Sequence, residues 1–334
     1  MLRIFFSRED IARTRLAPAA DPIWELVLSL HLLRGTNADP MISGWRRRVG
    51  DRLRERAIAD QVRLFVAVNP PRGYFPDFLT PYQSVRGLDA GLEAIRSTPA
   101  TRLRRDLTVL AGTTALPPSA AGLAEGESAS LRELTGAMER YQAIAVDPYW
   151  SHICNAVEAD RGVRARAMLA GGTEALLASL RPHLRWRSGE LTVLNYPSSR
   201  ELHLDGRGLL LVPSFFCAGT PVALFDPELP PVLVYPVERL GALPSTSSAP
   251  DPVGREALAA LVGRTRALVL EALVTGRGGE GQTTSEVARR LQISAAAASQ
   301  HTTVLRNAGL LVSRRERNMV VHTLTPLGRA ILKG

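Results

Sequence analysis

Thr284-Ser285-Glu286-Val287-Ala288-Arg289-Arg290-Leu291, a short break, and then Ser294 through Gly309 form the stretch that decides how this chain is read. Val287, Ala288 and Leu291 are spaced to share one helical face, which leaves Glu286, Arg289 and Arg290 on the other. Ser294 is a residue type that caps a helix start, and Gly309 one that ends a helix by taking positive φ. Two short helices joined by a tight turn predict a helix-turn-helix. Downstream, Leu310 to Val312 and Val320 to Thr325 are apolar or β-branched runs separated by Ser313-Arg314-Arg315-Glu316-Arg317-Asn318-Met319. That pattern predicts a β-hairpin with a basic tip, the wing of a winged helix. Such a module is expected to bind double-stranded DNA.

Charge agrees with this placement. The 334 residues carry 41 Lys and Arg against 32 Asp and Glu, a formal net charge of +9. From Arg255 to the end there are 12 basic and 5 acidic residues, whereas residues 1–254 hold 29 and 27. The excess sits where phosphate neutralisation needs it, and the near-balanced remainder suits a domain that touches proteins or small molecules. Lys333 is the only lysine, but the arginine bias runs through the whole chain and carries no functional weight. With 45% hydrophobic and 22% charged residues the composition is that of a globular protein, not a disordered one. Cys154 and Cys217 are too few for a disulfide framework. The apolar start turns charged at Arg8-Glu9-Asp10, and no uncharged apolar run nears the roughly 18 residues needed to span a bilayer. A cytoplasmic protein with no membrane partner is expected.

The Pro/Ser-rich stretch Ala242 to Pro252 lacks apolar periodicity and reads as a linker over 242–253, between a front domain of residues 1–241 and the module of 254–334. From Ser7 to about Leu180 the front domain is helical in texture. Trp24, Leu26, Val27, Leu30, His31 and Leu33 mark one helix, with others expected at 43–68, 82–96, 131–146 and 150–180, and a loop at 116–126. From His183 to Val237 the texture turns β, with strand-length runs at 191–196, 201–204, 209–213, 221–225 and 232–237. Asp205-Gly206 between two of them is a hairpin signal. The expected class is α+β: a mainly helical N-terminal domain with an antiparallel β meander, plus a C-terminal winged helix-turn-helix.

Within the module a first helix is expected from about Gly254 to Val274, with Leu258, Leu261, Val262, Leu268, Val269 and Leu273 apolar. Ala298, Leu305 and Ala308 should continue the inward face of the helix after the turn. Its outward side offers Ser294, Ala295, Ala296, Ala297, Ser299, Gln300 and His301 to the major groove, where the first residues of such a helix meet base edges. Thr284 at the start of the preceding helix, Arg306 further along, and Arg314, Arg315 and Arg317 on the hairpin complete the candidate DNA-contacting set. His301 reads equally as a phosphate contact or as a half-buried packing residue.

Residues 254–334 resemble the ArsR-type winged helix-turn-helix regulators. The likeness rests on Ser294, Ser299, Gln300, His301, Leu305, Gly309 and Leu310, with Thr325-Pro326-Leu327-Gly328 opening a closing helix. It implies a homodimer whose interface is built from the first and last helices of the module. Two departures matter. The family's threonine or valine near the helix start is Ala297 and its inward leucine is Thr302, followed by Thr303, so base readout should be sparse and shape readout larger. Thr302 is also expected to bond back to a carbonyl one turn earlier. The cysteine pair of metal-sensing members is missing from Ser285 to Leu291, which argues against a soft-metal sensor. The front domain resembles an uncharacterised domain found ahead of such modules in actinobacterial regulators, through Asp21-Pro22-Ile23-Trp24-Glu25-Leu26, Gly206-Arg207-Gly208-Leu209 and Val234-Tyr235-Pro236.

Sharper chemistry finds little footing. Gly276-Arg277-Gly278-Gly279-Glu280-Gly281 matches G-x-G-x-x-G but joins two helices instead of following a strand, so it reads as a loop. His152 and Cys154 lack a second pair at metal-ligand spacing, and His203 and Asp205 read as surface residues rather than a catalytic dyad. Trp24, Trp45, Tyr74, Phe75, Phe78, Tyr82, Trp150 and Trp186 read as core anchors before an effector pocket. No catalytic residue, metal site or cofactor is expected. The reading is a dimeric DNA-binding regulator, by default a repressor, whose front domain senses a small molecule or mediates dimerisation. The alternatives are a regulator that senses nothing and recruits a protein partner, or an enzyme fused to a DNA-binding module.

Overall fold

Ser7, two residues past the end of the first strand, starts a helix. Its hydroxyl accepts from the Asp10 amide while the Asp10 carboxylate accepts from the Ser7 amide, a reciprocal cap. The cap joins β1 (Leu2–Phe5) to α1 (Arg8–Arg13), and β2 (Arg15–Leu16) leads on to α2 (Pro22–Arg34). The computed structural model describes residues 1–35, 40–239, 258–274, 281–316 and 319–333. It divides the chain into two units, Met1–Leu243 and Pro244–Gly334. The linker expected at 242–253 lies outside the described residues.

In the first unit α2 is buried on every side from Pro22 to Leu30. Around it run α3 (Pro40–Arg54), α4 (Arg56–Val68), α5 (Leu88–Arg96), α6 (Ala100–Ala111), α7 (Ala121–Ala124), α8 (Ser128–Ala145) and α9 (Trp150–Ser179). α8 packs against α2, α3, α4 and α5, and Trp45, Phe65 and Tyr141 are fully buried there. Two polar groups on or beside α2 are held by dense hydrogen bonding. Asp21 accepts from the Ile23 and Trp24 amides and from Ser84 Oγ, capping the helix. Glu25 accepts from the amides of Phe215 and Phe216 and from Ser214 Oγ, and burial pushes its carboxyl up to about 7. The long helices expected at 43–68 and 82–96 are each interrupted. The first breaks at Glu55, where ψ is 117°, and the second at Gly87, whose φ of +119° favours glycine. α9 is kinked at Gly171 and Gly172.

The β region is not the antiparallel meander expected. Its strands are β3 (Leu184–Arg187), β4 (Glu190–Val193), β5 (Arg200–His203), β6 (Leu210–Ser214), β7 (Val222–Ala223) and β8 (Val232–Pro236). They form two four-stranded sheets, ordered β3-β4-β1-β5 and β2-β6-β8-β7. β1 lies between β4 and β5, antiparallel to one and parallel to the other, so that buried Leu2 and Ile4 complete that core. β2, β6 and β8 run parallel. Asp205 and Gly206 adopt the positive φ of a tight turn, 53° and 78°, yet the strands either side belong to different sheets. α1 holds the turn in place: Arg13 Nη1 donates to Gly206 O at 2.8 Å, and the Gly208 amide donates to Asp10 Oδ1 at 3.0 Å. Among the described residues no helix is long and apolar enough to cross a membrane.

In the second unit residues 258–262 are helical, and Gly263, with φ of +89°, separates them from α10 (Arg264–Val274). The single helix expected over 254–274 is therefore divided. β9 (Gln282–Thr283), α11 (Thr284–Leu291), α12 (Ala295–Asn307), β10 (Leu311–Glu316), β11 (Met319–Leu324) and α13 (Pro326–Lys333) follow. Val269, Leu270, Val287, Ala288, Ala298, Leu305, Leu310, Leu311 and Leu324 make the core, and the sheet order is β10-β11-β9, antiparallel throughout.

Candidate nucleic-acid interface

Local chemistry shapes the pair α11 and α12. Thr283 and Glu286 form a reciprocal cap on α11, with the Thr283 amide donating to Glu286 Oε2 at 2.7 Å. This engagement holds the Glu286 carboxyl below its usual range. Gln292 takes the left-handed conformation that closes the turn, the Ile293 amide donates to Ala288 O, and half-buried Ile293 packs on the core. Ser294 then caps α12 by accepting from the Ala297 amide at 3.1 Å. At the far end Leu310 and Gly309 donate back to Leu305 O and Arg306 O, with Gly309 at φ of +71°. That is a glycine-dependent helix stop of the Schellman type.

α12 has two unlike faces. Ala298, Thr302 and Leu305 are buried against the core. Thr302 occupies an apolar position because its hydroxyl donates to Ala298 O at 2.9 Å and Ser299 O at 3.1 Å, so nothing is left unsatisfied. Opposite lie the exposed Ala295, Ala296, Ser299, Gln300 and Arg306, joined by Thr303 one turn beyond Ser299 and Gln300. Thr303 is a groove-facing candidate that the sequence reading passed over; its i+3 and i+4 spacing was the available signal. Ala297 and His301 are half-buried at the edges of this face. Ala308, expected to face inward, is exposed: the helix ends before it, and Leu310, two residues on, is buried in the core instead.

The remaining candidates divide. Thr284 Oγ1 is 2.9 Å from His322 Nε2, and Ser313 Oγ is 2.8 Å from His322 Nδ1. His322, only 4% exposed, thus ties α11, β10 and β11 together, and Thr284 serves that link. Burial and the charge of Arg306 push the His322 imidazole below its ordinary value. Arg314 and Arg315 are exposed but lie within β10, not in the turn, because the pairing runs to Glu316 with Met319. Adjacent strand residues point to opposite faces, so these two guanidiniums diverge. Arg317 lies outside the described residues. Gly328 anchors the last helix: a Cβ there would stand 1.9 Å from Leu310 O, which accepts from the Thr325 amide.

Elsewhere, His152 meets Phe215 edge-on and His203 stacks on Phe5 with ring centroids 4.8 Å apart. Among the described residues no group of three or more His, Cys, Asp or Glu is arranged to hold a metal ion. Trp24, Trp45, Phe75 and Phe78 are buried, Tyr74, Trp150 and Trp186 half-buried, and Tyr82 exposed. Most of the G-x-G-x-x-G stretch lies outside the described residues, but Gly281 is tight against β11, where a Cβ would come within 2.5 Å of His322 O.

A family model described as a helix-turn-helix domain matches residues 264–314, from the start of α10 into β10. No curated protein and no solved structure matches the chain. The match supports a helix-turn-helix DNA-binding domain in the C-terminal unit, the domain type of transcription regulators rather than of enzymes.

Proposed function

We propose that this protein is a sequence-specific transcription regulator, a dimeric repressor whose C-terminal unit is a winged helix that lays α12 in the major groove. The observation that carries the reading is the split of α12 into a packed face and an exposed face of Ala295, Ala296, Ser299, Gln300, Thr303 and Arg306, with no acid among them. Small residues at the front of the helix allow close approach to the base edges, and Gln300 supplies an amide able to pair bidentately with adenine. The hairpin β10–β11 acts as the wing, its arginines meeting flanking phosphates or the minor groove. Dimerisation is supported by apolar side chains left at the surface near the two ends of the module: Leu261 is 76% exposed, Leu327 53% and Leu268 38%. Repression follows from occlusion of the site, and the N-terminal unit serves as the sensory or dimerising part.

The test is fluorescence anisotropy of labelled duplex fragments, selected from the source genome, titrated at several salt concentrations. The full chain should bind with log affinity falling steeply against log salt. Equal binding by a chain ending at Ser248 would refute the assignment.

A further inference from the structure

Within the N-terminal unit an open cavity of about 670 Å³ lies between the C-terminal end of α4 and the loop before α7. Its floor is apolar, with Val66, Ala67 and Leu116 half-buried along it. Three arginines, Arg34, Arg63 and Arg72, stand around it, and among the described residues no carboxylate lines it. The size is that of a pocket for a small organic molecule. The charge is one-sided.

Arg34 already has a role. Its Nη1 donates to Val66 O at 2.8 Å and to Asn69 O at 3.0 Å, so it offsets the negative end of the α4 dipole. The cavity would otherwise open onto bare carbonyls that repel an anion. With that end neutralised, Arg63 on α4 presents positive charge to whatever enters, and Arg72 stands at the rim. A smaller cavity, about 290 Å³, shares Pro71 and Arg72 and reaches His31. His31 pairs with Asn69 Oδ1 at 2.5 Å, and burial pushes it down to about 4, so it is neutral near pH 7 and adds no second cationic centre.

We infer that this cavity is a binding site for a small organic anion with an apolar body: a carboxylate, sulfonate or phosphate head held by Arg63, and a hydrocarbon or aromatic part against Val66, Ala67 and Leu116. The guanidinium fork matches the planar or trigonal oxygens of such heads, and the floor takes the part of the ligand that water disfavours. The inference deepens the sensory role proposed for this unit and rests on that role for its consequence at DNA.

The test is calorimetric titration of the full-length chain with 1-naphthoate, octanoate and phenyl phosphate, and with neutral 1-naphthamide as the control. At least one anion should bind once per chain, with 1-naphthamide weaker than 1-naphthoate by roughly tenfold or more, as loss of a charge-assisted pair implies. Arg63→Gln, a change at an exposed position, should weaken the anion by a similar factor and leave the amide nearly unchanged. Ala67→Trp should fill the cavity and abolish binding; if its far-UV ellipticity departs from that of the unaltered chain, Arg63→Gln carries the test alone. Failure of all three anions to bind, equal affinity for acid and amide, or anion binding indifferent to Arg63→Gln would each overturn the site. The DNA consequence is read separately, as affinity for a selected fragment with and without saturating anion. Binding at the cavity with unchanged DNA affinity upholds the site and retires the sensory reading, whereas loss of the site with DNA binding intact leaves the DNA-binding reading standing.

Discussion

Gly328→Ala sets helix propensity against tertiary contact. Gly328 is the third residue of α13, where exchange of glycine for alanine in a helix ordinarily stabilises by about 1 kcal/mol. Here the new Cβ would lie 1.9 Å from Leu310 O and 3.3 Å from Leu324 Cδ2. Ordinary carbon–oxygen contact is well over an ångström longer, and the obstacle is a backbone carbonyl that no rotamer change can remove. Relief requires α13 to lift away from the turn after α12, which strains or opens the bonds from the Thr325 amide to Leu310 O at 3.1 Å and from Thr325 Oγ1 to Gly309 O at 2.7 Å. At about 1 kcal/mol for each bond, plus ~1–3 kcal/mol for overpacking, less the propensity gain, the net loss is about 2–4 kcal/mol. For a unit of this size that lowers the melting temperature by roughly 10–30 °C. Residues 244–334 contain no Trp, Tyr or Phe, so indole fluorescence reports only the N-terminal unit. Melting followed by far-UV ellipticity and by Trp fluorescence should show the ellipticity attributable to the C-terminal unit lost early while the fluorescence transition stays put. A C-terminal transition that is unmoved or raised would show that Gly328 does not lie against Leu310 as described.

Further expectations concern the interface. Gln300→Ala should relax preference at one base position per half-site and cost ~1–3 kcal/mol on the preferred sequence, measured against a scrambled duplex; equal losses on both sequences would count against α12 as the reader. Arg315→Ala should weaken all sequences alike and make the salt slope shallower by about one unit, unless the arginine enters the minor groove, in which case the loss is greater on A·T-rich flanks. Acidification should weaken the C-terminal unit through His322. Its folded value lies below the ordinary ~6.5, so the unfolded chain binds the proton more readily, and the stability is complete above that value and declines as pH falls through it. His322→Gln should flatten this slope between pH 7.5 and 5.5, and an unchanged slope would place its origin elsewhere. Zinc, cadmium and arsenite at micromolar levels should not release the DNA, as the missing cysteine pair implies; reversible, stoichiometric release surviving replacement of Cys154 and Cys217 would contradict this.

Much of the candidate interface was legible because the signals are short in range. The cap at Ser294, the stop at Gly309 and the period of Val287, Ala288 and Leu291 act over one or two helical turns, and the structure has each where the pattern put it. Thr302 was legible too, since a threonine can be buried in a helix by bonding to its own preceding turn. His322 was not. Its partners are 38 and 9 residues away, and nothing in a β-branched run marks one member as the tie between a helix and two strands. The basic residues of the hairpin were placed in its turn because charge suggests a solvated tip. Only the pairing of Glu316 with Met319 shows Arg314 and Arg315 to be strand residues.

In the N-terminal unit the division is sharper. The sequence by itself marked five of the extended segments: each run expected between 191 and 237 overlaps a strand, as an alternating or continuous apolar stretch bounded by turn residues can, whereas β1, β2 and β3 lie outside those runs. It also determined the dihedrals of Asp205 and Gly206, which depend only on what those two residues tolerate. The tertiary structure decided which strand pairs with which. Leu2 lies opposite Val193 on one side and Arg200 on the other, and β6 pairs with β8 instead of returning on β5. A strand's alternation says that a face will be buried but not against what, because its backbone donors and acceptors suit any partner in either direction. The choice is made by the closing of a core around Leu2, Ile4, Leu191 and Leu202, residues separated by most of the unit's length, and no local pattern records it.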